Sequence, residues 1–597
     1  MSSSKQKKIV GIRESSALTY CGIAMLGLGT GVVSLFTATA VYGMPMFWAY
    51  LRVPALLVLN ILPVALLVVA LYFATGRAWI SFFAPSLLII IASCANFFKI
   101  QLRGDPLIAE DIAHTVEAGK ALAGFEIELN WKIILCVAYL VLGTVFAAVF
   151  LKYRLRGWKK RLPSAVIAFA VILGVGIPVY ASGDIYDSIA CDYEFEWPNS
   201  TEQYITRGFV FPFLHSVKDA FLLPPEDYSE AETKAILAEY TYDDIPQEQQ
   251  VNVISVMLEA FCDLSEYESV EFLTDVYERW HELQDESISG NLITNIFAGG
   301  TIDTERLFLL GETSLRSLNN KTQSYLYYLR EQGYYTEGFH PGDRWYYDRE
   351  NVHRDLGFEN YYFLDDFENS MQSDEYFFSK VLELYNSRDA SLPYFNHSLT
   401  IQNHGAYFAD RNFGEGIISP EGLAPMTYNI LSNYLAGIYD TNEQIYMFLE
   451  KLRYDAEPVV VVLYGDHKPW LGNYETVYKE IGISLDTTTE EGFFNMYSTP
   501  YVIWANEAAK KAIGNDFSGD GGDFSPCFLM NRIFSLCGWD GDEYMKLSNE
   551  VFARVPVINT PAMLYIEDGV LTDGLSERAD ELLRKLSFAA YFRRNEF

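Results

Sequence analysis

Five long stretches of the chain carry no charged side chain: Ser15–Leu51, Val53–Gly76, Ala78–Phe98, Ile133–Leu151 and Leu162–Gly183. A helix needs roughly 20 apolar residues to cross the hydrocarbon core of a bilayer. The first stretch predicts one span near Leu18–Tyr42, and the others predict one each. Beyond residue 183 the pattern changes. From Asp184 to about Gln250 it is irregular, with a helical piece near Tyr204–Ala220, then Leu223-Pro224-Pro225 and an acidic helix through Tyr240. Two short β-branched runs follow, Val251–Leu258 and Pro458–Tyr464, of the kind that makes buried parallel strands. Helical patterns lie between them, for example Thr322–Gln332 and Ala424–Arg453. Strands alternating with helices imply a doubly wound α/β sheet. The expected organisation is a five-span transmembrane domain (1–183), a linker with helices (184–250), an α/β domain (251–565) and a C-terminal helical tail (566–597).

The connector Lys99–Lys132 has two readings. Ile108, Ile112 and Val116 recur at helical spacing and would line one face of a short amphipathic helix on the outer leaflet, stopped by Gly119. The alternative is a solvated connector.

Charge sharpens the division. The 597-residue chain has a formal net charge of −34, yet residues 1–182 hold 16 basic and 7 acidic side chains. The remaining 415 residues hold 28 basic and 71 acidic ones. The acidic body argues against a nucleic-acid partner, and its many aromatic residues argue against disorder. Basic residues cluster at Lys5, Lys7, Lys8 and Arg13, and again between spans four and five at Lys152, Arg154, Arg156, Lys159, Lys160 and Arg161. By the positive-inside rule both clusters face the cytoplasm, which puts everything after Gly183 on the outer face. Cysteines are too few for a disulfide framework, and Cys527–Cys537 is the one pairing to consider.

In doubly wound sheets the chemistry sits beyond the carboxyl ends of the strands. Glu259 ends the first strong run, and Asp466-His467 ends the second. Two carboxylates and an imidazole make an oxygen-rich donor set that suits Mn²⁺ or Mg²⁺, with Zn²⁺ as a third option. The segment Ala298-Gly299-Gly300-Thr301 precedes a helical run, Leu307–Leu310. Thr301 is either a helix N-cap or a nucleophile favoured by the helix N-terminus and a metal.

Three segments occur in order behind five spans: Met257-Leu258-Glu259-Ala260-Phe261, Gly299-Gly300-Thr301-Ile302-Asp303-Thr304-Glu305 and Tyr464-Gly465-Asp466-His467. Together they resemble the lipoteichoic acid synthase family. The resemblance implies a sulfatase/alkaline-phosphatase-like mixed sheet flanked by helices as an extracellular catalytic domain. It implies Thr301 as nucleophile, with Glu259, Thr301, Asp466 and His467 around one metal, manganese or magnesium. The segment Thr400–Gly405 looks like the family's substrate-side histidine segment, with His404 at the phosphoglycerol. Gly338–Pro341 with Tyr347-Asp348-Arg349 looks like its other binding segment, with His340, Tyr347 and Arg349 toward the glycerol phosphate. The family's staphylococcal-type pattern has Trp where this chain has Tyr347, and Trp345 lies two residues earlier. His353 and His397 match no motif position and read as structural. The implied reaction moves glycerol phosphate from phosphatidylglycerol to a glycolipid or growing polyglycerol-phosphate chain through a phospho-threonine, releasing diacylglycerol.

Rival readings remain. A true sulfatase carries Cys or Ser followed at two-residue spacing by Pro and Arg, and Ile302-Asp303-Thr304-Glu305 is not that signature. A phosphoethanolamine transferase, or a phosphoglycerol transferase on a cell-envelope glycan, would share the threonine chemistry. A non-catalytic polymer-binding membrane sensor is the reading from another class.

Overall fold

The computed structural model describes residues 15–595 apart from 104–105, 113–130, 194–203, 221–223, 268, 315–317, 319, 345, 368–370 and 473–474. The chain divides into two compact units, Met1–Leu222 and Leu223–Phe597.

In the first unit the charge-free stretches form α1 (Ser16–Ala38), α2 (Pro54–Thr75), α3 (Ala78–Arg103), α4 (Trp131–Phe150) and α5 (Trp158–Ala181). Each is long and apolar enough to cross a membrane. Where hydrocarbon surrounds helices, small residues and hydroxyl pairs hold them together. A Cβ added at Gly27 of α1 would lie 2.7 Å from Ala65 Cα of α2, so the two backbones meet closely there. Thr30 and Ser34 of α1 bond Ser86 and Ser93 of α3 at 2.9 and 2.6 Å.

The stretch expected as a linker is shared between the units. The Asn60 amide of α2 donates to Arg207 O at 2.9 Å and accepts from Phe209 N–H at 2.9 Å. That binds residues 204–211, and the following α6 (Val210–Ala220), into the membrane unit. By contrast Ile236 and Leu237 are buried in the core of the second unit. In the Lys99–Lys132 connector a single 3₁₀ turn, Ala109–Ile112, stands where the amphipathic helix was expected to begin. Polar bonds hold it: Lys99 Nζ pairs with Asp111 at 2.9 Å, and Ala109 N–H donates to Ser216 Oγ at 2.9 Å. Val116 and Gly119 lie outside the described residues.

The second unit is built on an eight-stranded sheet in the order β4-β3-β5-β1-β6-β7-β2-β8. Its strands are β1 (Asn252–Leu258), β2 (Ile288–Ile293), β3 (Tyr335–His340), β4 (Asn360–Phe363), β5 (Tyr394–Leu399), β6 (Val459–Gly465), β7 (Ser498–Ala505) and β8 (Gly519–Asp520). β4, β3, β5, β1 and β6 are parallel, while β7 runs antiparallel to both β6 and β2. The sheet is therefore mixed. β1 and β6 read as unbroken apolar runs because both faces are covered. Val253, Met257, Val460 and Val462 enter one core, and Ile254, Val256, Val461 and Leu463 the other. Each such side chain contributes roughly 1.5–3 kcal/mol on full burial.

Helices cover both faces. α7 (Ile302–Leu310) and α10 (Glu577–Asn595) join the first core, and α9 (Pro425–Leu452) the second. α8 (Arg349–Leu356) leads into β4. The helix expected over Thr322–Gln332 starts later, at Tyr325, because the Ser324 side chain caps it by accepting from Leu326 N–H. The C-terminal helix is more than a tail: Leu586 and Ala589 of α10 are buried in the same core as Leu307–Leu310 of α7. A last small three-stranded sheet pairs residues 557–559, 564–567 and 570–572. Cys527 and Cys537 are both free and buried, so the disulfide considered from the sequence is absent.

Candidate active site

β1 and β6 are neighbours, so their carboxyl ends bring Glu259 beside Asp466 and His467. One donor atom from each of the three lies within 4.8 Å of the others, all buried. Backbone geometry orients them. Ala260 turns into the left-handed region (φ 50°), and its N–H donates to Asp466 Oδ1 at 2.8 Å. The His467 N–H donates to the same oxygen at 2.7 Å. Oδ1 is thereby saturated, and Oδ2 is left buried with no partner. His467 Nδ1–H donates to Lys468 O at 2.9 Å, which fixes the tautomer and frees the Nε2 lone pair. Nε2 is also buried without a partner, 3.3 Å from Asp466 Oδ2 and 3.8 Å from Glu259 Oε1.

Burial, with the Asp466 carboxylate beside it, raises the Glu259 carboxyl to about 8. Two facing acids and an imidazole, out of water and with Asp466 Oδ2 and His467 Nε2 unpartnered, fit a divalent cation. Glu259, Asp466 and His467 would hold it, and Thr301 stands next to them.

Thr301 reaches the cluster through a tightly turned loop. Ala298, Gly299 and Gly300 have φ of 59°, 140° and 91°, a run that glycine makes affordable. The Ala298 N–H donates to Lys468 O at 3.1 Å, tying this loop to the one that carries His467. Thr301 occupies the N-cap position of α7, but its side chain makes no capping bond. It lies close enough to the Glu259 carboxyl to favour that group's charged form. Of the two readings open from the sequence, the N-cap one therefore has no side-chain bond behind it.

Beside this cluster lies a second buried group. Arg349, the first residue of α8, donates from Nε and Nη2 to Glu305 Oε2 at 3.1 and 3.0 Å. His353 Nε2–H donates to Glu305 Oε1 at 2.6 Å. Burial alone would raise the Glu305 carboxyl, but Arg349 and His353 hold it well below the usual carboxylate range. Arg349 is near enough to Glu259 to favour that group's charged form.

His340, at the end of β3, is buried with Nδ1 3.3 Å from Leu399 O. Burial and then Arg349 push it down to about 3, so it is neutral at physiological pH. Gly342 makes room for its ring, since a Cβ there would lie 2.4 Å from His340 Nε2. The Tyr347 ring lies 5.3 Å from the Arg349 guanidinium, on a left-handed backbone (φ 55°). Trp345 lies outside the described residues. His404 is exposed, with Nδ1–H donating to Gly405 O at 2.7 Å, and is not part of the buried cluster. The start of its loop is tied to the cluster, because the Glu259 N–H donates to Thr400 Oγ1 at 2.8 Å.

Residues 251–538 match the sulfatase family model. They form a sulfatase-like domain, a mixed sheet with flanking helices. Ahead of it stand five apolar helices, an architecture in which a membrane anchor precedes a mixed-sheet sulfatase-like body. A putative cyclic β-1,2-glucan modification protein of Rhizobium meliloti (strain 1021) is 24% identical over 492 residues, 76% of this chain and 73% of that protein. The capsular polysaccharide biosynthesis protein RkpI of the same strain is 24% identical over 256 residues, 41% of this chain and 46% of that protein. Among solved structures, Streptococcus pyogenes phosphoglycerol transferase GacH is similar at TM-score 0.48 and 21% identity, covering 62% of this chain and 94% of that one. Listeria monocytogenes lipoteichoic acid synthase LtaP is similar at TM-score 0.42 and 17% identity, covering 61% and 98%. Neisseria meningitidis lipooligosaccharide phosphoethanolamine transferase EptA is similar at TM-score 0.45 and 15% identity, covering 88% and 95%.

Within the sulfatase-type domain, sequence reasoning passed over Glu305 except as a helix-start residue. The available signal was an acid one helical turn beyond Thr301, directly before the apolar run of α7. His353, read as structural from the sequence, bonds the other oxygen of that acid, Oε1.

Proposed function

We propose that the chain is a membrane-anchored, metal-dependent phosphoester transferase. Its reaction moves glycerol phosphate from phosphatidylglycerol to a glycolipid or growing polyglycerol-phosphate chain and releases diacylglycerol. The observation that carries this reading is the buried Glu259–Asp466–His467 cluster, with Thr301 close enough to favour the charged form of Glu259. A bound divalent cation, manganese or magnesium, would supply positive charge that favours the alkoxide form of Thr301 and offsets charge on phosphate.

The chain's own residues do the rest. Thr301 Oγ attacks phosphorus, and the bond from phosphorus to the diacylglycerol oxygen breaks, leaving a glycerophosphoryl-threonine. The departing oxygen takes a proton, which we assign to His404. Arg349 stabilises the negative charge on the phosphate oxygens, with His340 and Tyr347 beside it. An acceptor hydroxyl then attacks the same phosphorus, returns a proton to His404 and displaces Thr301 Oγ. With the two basic clusters in the cytoplasm, the domain faces outward, and the spans hold it near its lipid donor, raising effective concentration.

A second reading keeps this chemistry and changes the acceptor. The relative matched over most of its length is described as a glucan modification protein, which favours a sugar hydroxyl of an envelope glycan. Phosphoethanolamine as the transferred group follows from the same threonine chemistry.

The deciding experiment incubates the full-length chain with fluorescent phosphatidylglycerol and Mn²⁺, with and without a glycolipid or a β-glucan. Thr301→Ala should abolish diacylglycerol release, by at least about a thousandfold, while folding and membrane insertion persist. Transfer at the wild-type rate by that variant overturns the assignment.

A further inference from the structure

α7 organises more than its first residue. Three consecutive side chains, one turn beyond Thr301, between them grip two other segments. Thr304 Oγ1 donates to Asp466 O at 2.7 Å, Glu305 takes Arg349 and His353, and Arg306 Nη2 donates to Tyr347 O at 3.2 Å. The metal loop and the Tyr347–Arg349 segment are thus both indexed to the helix that presents the hydroxyl.

Glu305 is the tightest of these grips. Its side chain is 1% exposed and that of Arg349 is 2% exposed. Among the described residues Glu305 is the hydrogen-bond partner of Arg349, through Nε and Nη2 alone. A guanidinium carries five N–H donors in one plane, so a carboxylate on the Nε side leaves the Nη1 side for another acceptor. A buried cation with no anion beside it would be costly, and the two bonds to Glu305 set the direction of the fork.

We propose that Glu305 is a positioning residue for phosphate recognition: by clamping the Nε edge of Arg349 from the nucleophile's own helix, it aims the remaining edge at the phosphate beside Thr301. That phosphate is the one the transfer reaction places there, so this role rests on the proposed function. The oxygen that bonds His353 is the other one, Oε1, and takes no part in the clamp.

The test is a double-mutant cycle on the full-length chain in detergent with Mn²⁺, reading inorganic phosphate affinity by calorimetry. Glu305→Gln and Arg349→Lys should each weaken phosphate by about tenfold, a difference of about 1.4 kcal/mol. The double variant should be no weaker than Arg349→Lys, because Glu305 acts through the guanidinium. Wild-type affinity in Glu305→Gln overturns the proposal, and so do losses that multiply in the double variant.

His353→Gln keeps a donor for Oε1 and should hold phosphate within about twofold of wild type. A loss equal to that of Glu305→Gln would mark general disruption and also overturn it. If Glu305→Gln does not fold, Glu305→Asp carries the same cycle with the same expected non-additivity. Diacylglycerol release by the wild type reports separately on the donor: its absence, beside a non-additive phosphate cycle, removes phosphatidylglycerol and leaves Glu305 in place.

Discussion

The two ends of α7 hold buried charge in opposite ways. Before its first turn, Glu259, Asp466 and His467 face one another, and Asp466 Oδ2 and His467 Nε2 have no partner. Just past its last turn, Glu312 is closed by Arg594 of α10 through two hydrogen bonds, one from Nε at 2.6 Å and one from Nη2. Arg593 adds a bond to Leu310 O at 3.3 Å. Both clusters are out of water, where an uncompensated charge is expensive. The closed one holds the C-terminal helix against the end of α7. The open one brings its donor atoms within 4.8 Å of one another, a set that a proton or a cation would compensate. Burial is thus the same at the two ends of one helix, and what differs is whether the buried acids have met their partners.

That contrast can be broken at either end. The largest effect is expected at the open end. Asp466→Asn should lower Mn²⁺ affinity and transfer by more than about a hundredfold, while the denaturation midpoint of the metal-free chain does not fall, because one of two facing acids has been neutralised. Mn²⁺ titration and calorimetry on the same sample check this, and unchanged Mn²⁺ affinity would erase the distinction.

At the closed end the signs reverse. Glu312→Gln leaves Arg594 buried without its anion and should cost about 3–5 kcal/mol of stability, with Mn²⁺ affinity retained in the folded fraction. A denaturation midpoint equal to wild type would show that the pair is not needed to hold α10.

The smallest effect is a pH dependence. Glu259 is raised to about 8 in the fold, against about 4.3 for an unfolded glutamate. Between those values the folded, metal-free chain binds more protons than the unfolded one, so its stability falls as pH rises through that window. Metal binding must displace the Glu259 proton, so Mn²⁺ affinity should strengthen over the same window. Paired melting and Mn²⁺ titration series from pH 5 to 8 should therefore run in opposite directions. Parallel trends would contradict a shared Glu259 proton.

Much of this was visible before any coordinates. Charge-free length is a local property, so the five spans could be read from residues 15–183. An apolar β-branched run reports burial on both faces, so β1 and β6 could be read too, along with the acids and imidazole at their ends. What could not be read depends on contacts between distant elements. The antiparallel turn of β7 that makes the sheet mixed is a pairing of residues 460–464 with 501–505. Residues 184–250 read as one linker with helical pieces, yet bonds with Asn60 and Tyr50 draw residues 205–211 into the membrane unit.

The same limit applies at the site. Strand ends made Glu259, Asp466 and His467 legible, because a sheet's carboxyl edge follows from local pattern alone. Glu305 looked like an ordinary helix-start acid, since its partner Arg349 lies 44 residues away on another helix. Which buried charges are closed and which stay open is a matter of hydrogen-bond partners met in space, and only the folded chain decides it.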